Sequence, residues 1–372
     1  MWRVLPLVAL LVFSLGNQAL ACPICFTGRV VSIGQKLDAA DAAVLAEPAV
    51  SGRSYTVLQV IKGDDANAIA PFITDVTQPA VSPIVSSETT QLLLRNKLSG
   101  AWTSVGFMAA RHADWLRALA AMEPLGEPAV RLVKAHEAAV RPDAGWLKRL
   151  QLVAPYLESS DPLAAEIAYG EVARAPYQEL RQLKGAVDPV AIVSWIANPA
   201  LASRRPAYTL LLGITGAPIA STVVEKALET ALQSHDSSNL SALLAAELEL
   251  HGATRLPWLE QSYFSDRKRT LPEIEAALLA LSVLGTANAA VPRSDIIAAY
   301  LRFIDLRRPM AAFVVTDLIS WKYWGATVKL MEVLKSNAIK DPGSRLAIIN
   351  YLRQSPVPIA AAEIEQLSDL PP

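Results

Sequence analysis

Cys22 and Cys25 are the two cysteines of the 372-residue chain, and they stand together in Cys-Pro-Ile-Cys. Four chemistries fit such a pair. It can close a small local disulfide in an oxidising compartment. Its thiolates can hold a soft ion, Cu(I) or Zn(II), helped by a free α-amino group if the chain is cut after Ala21. It can exchange disulfides, or Cys22 can carry a lipid anchor. Two sulfurs and one amine leave zinc short of four ligands, and no second C-x-x-C exists to complete the set. A redox cysteine belongs at a helix N-terminus after a strand, where the dipole lowers its pKa, yet only an export signal precedes this pair. Ala19-Leu20-Ala21 is an imperfect lipid-attachment box. The local structural pair leads, with the other three open.

The remaining chemistry-bearing residues are dispersed. His112, His136, His235 and His251 form neither H-x-x-H nor H-E-x-x-H, so no histidine-based metal motif is legible. His251 sits beside a helix-terminal Gly252, where a cation is favourable. No G-x-S-x-G, S-x-x-K or glycine-rich phosphate loop occurs. Carboxylates such as Glu158 and Asp161 fit helix caps better than catalysis. Trp321, Tyr323 and Trp324 in "WKYWG" form an aromatic cluster whose two tryptophans would share a helix face at i, i+3. Such a cluster serves either as a partner-binding hot spot or as core between helices. "SDRKRT", Arg204-Arg205 and Arg307-Arg308 read as solvated turns or helix-end caps.

The elements that must position these residues come in two periods. Arg3, the apolar run Leu5 to Leu15 and Ala19-Leu20-Ala21 predict a signal peptide over 1–21. No later stretch is long and charge-free enough to span a bilayer. The protein is therefore expected in the periplasm, the cell envelope or the medium. Lys+Arg 34 against Asp+Glu 35 excludes the basic excess of a nucleic-acid binder. From Phe26 to Met108, "DAAVLAEPAV", "SYTVLQVIKGDD", "APFITDV", "TTQLLLRNKL" and "WTSVGFM" predict five short antiparallel strands. In the second, Tyr55, Val57, Gln59 and Ile61 would share one face. After His112 the period becomes helical, as in "STVVEKALETALQ" with Val223, Val224, Ala227, Leu228, Ala231 and Leu232 on one face. Gly216, Gly252 and Gly285 lie 36 and 33 residues apart in similar contexts. They predict glycine-terminated helices in a repeat of that length.

Two resemblances follow from these residues. The cysteine pair with "ADAAVLAEPAV", "YTVLQVIKG" and "LLL…GAWTSVG" resembles the netrin-like module of tissue inhibitors of metalloproteinases, implying an OB-type barrel over about 85 residues. The spacing is C-x-x-C rather than that module's C-x-C, and its partner cysteines are absent, so protease inhibition is not implied. "YLESSDPLAAEIAYGEVARAPY", "LLLGITG", "LISWKYW" and "INYLRQSP" resemble exported bacterial proteins with HEAT-like repeats, which carry no assigned activity. The expected fold is α+β, mainly α: a small β-barrel domain over 22–110, then an irregular α-solenoid over 111–370. The expected function is a non-enzymatic exported scaffold that binds a protein partner. The alternative is an envelope metal-binding or thiol-redox protein acting through Cys22 and Cys25.

Overall fold

The computed structural model describes residue 24 and residues 31–48, 54–63, 72–74, 76–77, 89–125 and 144–358. The predicted signal peptide, Cys22, Cys25 and His136 lie outside them. The fold is α+β and mainly helical, with the five expected strands in its N-terminal part.

Helix α1 (Ile33–Ala39) opens the described chain and leads directly into β1 (Ala40–Pro48). Sequence reading missed α1, although Ser32 and Gln35 carry its signal. Gln35 N donates to Ser32 Oγ at 3.1 Å and Ser32 N to Gln35 Oε1 at 2.9 Å, a reciprocal capping box. Strands β2 (Ser54–Lys62), β3 (Phe72–Thr74), β4 (Thr89–Asn96) and β5 (Trp102–Ala109) complete an antiparallel sheet in the order β3-β2-β1-β4-β5. The sheet curls into a half-barrel. A one-residue parallel bridge, Thr77 to Thr103, joins the segment after β3 to the opposite edge.

Both faces of the central strands are covered, which is why "LLL" can be continuous rather than alternating. Ala43, Leu45, Leu92 and Leu94 face the main core. Val44, Ala46 and Leu93 face a smaller cluster with Tyr55 and Ile73 inside the curl. Strand β2 departs from the expected single alternation. Its register against β1 skips Leu58 and Ile61, and each extra residue flips the phase. Val60 thereby joins Tyr55 and Val57 in the inner cluster, while Ile61 turns to the main core.

Helix α2 (Ala113–Ala120) lies on β2 and α3 (Ala144–Val153) packs with α4 (Pro162–Arg174), which also touches α1 and β5. Asp161 fastens this junction with one carboxylate. Oδ1 accepts from Leu163 N and Ala164 N, each at 3.1 Å, capping α4, and Oδ2 accepts from Ala109 N at 2.8 Å, holding the end of β5. The apolar core runs without a break from the sheet into the helices.

Beyond α5 (Tyr177–Leu180) and α6 (Pro189–Ala197) come α7 (Arg205–Thr215), α8 (Pro218–Ser234), α9 (Leu240–His251), α10 (Leu256–Leu259) and α11 (Leu271–Ala287). α7, α9 and α11 pack side by side. α9 is buried almost all round, from Ala242 to Leu248, whereas α8 buries only the stripe Ala220, Val224, Leu228 and Ala231. That contrast is the expected one between an enclosed helix and a covering, amphipathic one. The chain continues through α12 (Arg293–Leu306), α13 (Val315–Ser320), α14 (Thr327–Lys335) and α15 (Pro342–Gln354). Among the described residues no helix is long and apolar enough to cross a membrane.

Gly216 and Gly252 end α7 and α9 with positive φ, 64° and 65°, as expected. Gly285 does not end α11. Asn288 takes the left-handed position three residues later, with φ 48°, and Ala289 N donates back to Leu284 O at 3.1 Å. Asparagine is the next best residue there. Gly285 is glycine for a different reason: a Cβ would stand 2.5 Å from the ring of Trp321.

Candidate functional site

Trp321, Tyr323 and Trp324 are positioned by the way α13 stops. Lys322 adopts φ 55°, Lys322 N donates to Ile319 O at 2.9 Å, and Tyr323 N donates to Leu318 O at 2.8 Å. This is a Schellman turn with lysine where glycine is usual. Because the helix ends at Ser320, Trp321 and Trp324 do not share a helix face; the turn sends them to different neighbours.

Trp321 stacks on Tyr300, with centroids 5.6 Å apart and planes at 7°, and fills the space above Gly285. Arg293 lies over the other part of that ring at 5.5 Å. The same guanidinium donates to Gly285 O at 2.7 Å and Thr286 O at 3.2 Å, satisfying carbonyls at the end of α11. Trp324 instead leans on Tyr351 of α15 at 5.1 Å, and Tyr351 Oη donates to Tyr323 O at 2.7 Å. All three cluster residues are half-buried, so they brace the α11–α15 packing.

Tyr323 has a second exposure. With Arg293, Ser294, Ile297, Ala298 and Leu301 it lines a shallow, open groove along α12. Ile297 and Leu301, one helical turn apart, are half-buried. Their neighbours on the inner face, Ile296, Tyr300 and Phe303, are fully buried. Beneath the groove, Tyr300 Oη donates to Asp317 Oδ2 at 2.6 Å and Ser282 Oγ to Oδ1 at 2.9 Å. Burial pushes the Asp317 carboxyl above its usual range, against those two hydrogen bonds.

A second polar centre lies where the helices meet the sheet. Arg149, fully buried on α3, reaches Asp38 of α1 at 2.9 and 3.0 Å through Nη2 and donates to Glu171 of α4 through Nε. Arg174 donates to Glu171 at 3.0 and 2.6 Å. Two guanidiniums and two carboxylates thus neutralise one another. Burial raises the Asp38 pKa in spite of Arg149. Its geometry is that of a clamp.

Of the two readings of the arginine clusters, solvated turns or helix-end caps, the engaged one holds for several members. Arg307 is buried and donates to Phe264 O at 2.8 Å, capping the π-helical turn Glu260–Ser265. Arg204 binds Glu158 at 2.7 Å and lies over the Tyr169 ring. Arg269 donates to Glu273 at 2.7 Å. The long reach of each arginine decided this, because it carries the charge from a turn back to a neighbouring helix. His112, unremarked in the pattern, is buried against Tyr156 and Trp115, with Nε2 3.6 Å from Asp161. Among the described residues, Glu225, Glu247 and His251 bring metal-ligating atoms together.

No protein-family model matches this chain, and no curated protein or solved structure is significantly similar to it. The site is therefore read from its own geometry.

Proposed function

We propose that the chain is a non-enzymatic binding protein, exported as its first residues suggest, that takes a protein partner on an α-solenoid-like surface. The groove along α12 is the docking place. The observation that carries this reading is the half-buried pair Ile297 and Leu301 beside Tyr323, an apolar strip with one aromatic rim and the Arg293 guanidinium at its end. Such a strip suits a short aliphatic or aromatic segment of a partner, since tyrosine and arginine are enriched among the residues that carry most of the energy of protein interfaces.

Site-specific photo-crosslinking tests the assignment. A benzophenone side chain at Ile297 is expected to yield a discrete adduct in cells, and Leu301→Asp is expected to abolish it. The same probe at Glu229, on the exposed face of α8, should give none. Adducts of equal yield from both positions, or none from Ile297, refute the groove.

A further inference from the structure

We propose that Glu225, Glu247 and His251 form a binding site for a divalent transition-metal ion of the Zn²⁺ type. Two helices build it. α9 presents Glu247 and His251 one turn apart, at i, i+4, and α8 brings Glu225 alongside. His251 Nε2 lies 3.6 Å from Glu225 Oε1 and 3.8 Å from Glu247 Oε2, and all three ligand atoms fall within 4.8 Å of one another. Two ligands on one ion with bonds of about 2.0–2.2 Å stand roughly 3.3–3.5 Å apart in a tetrahedron. The two contacts of His251 therefore need only a small contraction.

Glu247 supplies the independent reason to expect an occupant. Its side chain is 1 % exposed, and Oε2 has no hydrogen-bond partner. A buried carboxylate oxygen left without a partner is costly. Oε1 is satisfied separately by Arg255 Nε at 2.5 Å. Arg255 is itself held over the Trp258 ring at 4.4 Å, so the carboxylate is fixed with its free oxygen towards His251. A second-shell donor on a ligating carboxylate is usual in metal sites. Arg255 also offsets one of the two negative charges. Glu225 and His251 are 53 % and 34 % exposed at the side chain, which gives an ion access and leaves a side open for water as the fourth ligand. An imidazole with two carboxylates selects zinc-like ions over calcium or magnesium, which take oxygen-only shells.

The competitor is a proton on His251, which would make the cluster an ordinary ion-pair triad. Isothermal titration with ZnCl₂ separates the two. The full chain carrying Cys22→Ser and Cys25→Ser is used, so that thiolates contribute nothing. One saturable site is expected, weakened at least tenfold by His251→Ala and by Glu225→Gln and unchanged by Glu229→Gln. Co²⁺ added to the same cysteine-free chain should develop visible d–d absorption that His251→Ala removes. No saturable Zn²⁺ binding, equal affinity in all variants, or no Co²⁺ band overturns the proposal. The reading of the α12 groove is independent of it.

Discussion

Two buried carboxylate centres in this molecule are neutralised in opposite ways. At the junction of sheet and helices, Asp38 and Glu171 meet two arginines, and four charges from α1, α3 and α4 cancel. Under the α12 groove, Asp317 has no cation among the described residues and is held by the hydroxyls of Tyr300 and Ser282. The difference tells how each region fails. A set of paired charges is intolerant of losing a member, because the partner left behind is a buried ion with fewer counter-charges. A lone carboxylate held by neutral donors tolerates replacement by an amide, which keeps its shape and removes only its charge.

The sharpest break is Glu171→Ala, which leaves Arg149 and Arg174 to share the single carboxylate of Asp38. A loss of about 3–5 kcal/mol is expected in urea unfolding. Arg149→Met with Glu171→Met should recover at least half of it, since Arg174 keeps Asp38 at 3.4 Å. A loss under about 1 kcal/mol for Glu171→Ala would erase the contrast.

Purely apolar positions calibrate the scale. Leu281 on α11 and Leu228 on α8 are 0 % and 2 % exposed. Each truncation to alanine should cost about 2–5 kcal/mol through lost burial and the cavity left behind. Leu228 is expected at the lower end, because α8 has an open side and can settle inward. Equal losses would mean that α8 is as rigidly enclosed as α11.

Asp317→Asn should change stability at neutral pH by no more than about 1 kcal/mol, in either direction. Its pH dependence carries the information. The folded pKa is raised above 3.8 by burial, so the carboxyl's favourable contribution is complete below that value. It is lost as pH rises through the folded pKa. Wild-type stability measured relative to Asp317→Asn should therefore fall from acid towards neutral pH, and a flat difference would place Asp317 in contact with water.

The smallest effect belongs to the turn that orients the aromatic cluster. Lys322→Gly should stabilise by about 0.5–1 kcal/mol, because lysine bears the strain of φ 55° and glycine does not. Tryptophan fluorescence should be unchanged. A loss of stability would mean that the lysine side chain itself holds the turn.

The sequence was most legible where signals are local. Five strands stood out because glycine, proline and aspartate bound short runs of valine, leucine and isoleucine. Helix α1 escaped because seven residues give barely two turns of periodicity, although Ser32 and Gln35 marked its start. The slipped phase of β2 was hidden because bulges at Leu58 and Ile61 come from pairing with β1, not from β2 alone. Asn288 displaced Gly285 as a helix end because the packing of Trp321 needed the glycine. The charge clamp joins residues up to 136 apart in sequence, and no spacing rule finds it. Half of the metal candidate was visible, since Glu247 and His251 are i, i+4 on one helix, but a search for paired histidines passed over it. Glu225 enters only when α8 is laid beside α9.

The bridge at Thr77 has a consequence for how the protein behaves in a crowd. An open sheet edge offers unpaired amides and carbonyls to any extended chain that drifts past, and this is how native proteins begin to polymerise. Here Thr77 N donates to Trp102 O and Ser104 N to Thr77 O, both at 3.0 Å. Two of the backbone groups of β5 that an intruding strand would seize, Trp102 O and Ser104 N, are already taken. The other edge is β3, Phe72–Thr74. Thr77→Pro deletes one of the two donors, and seeded aggregation of that variant would measure how much protection a single residue confers.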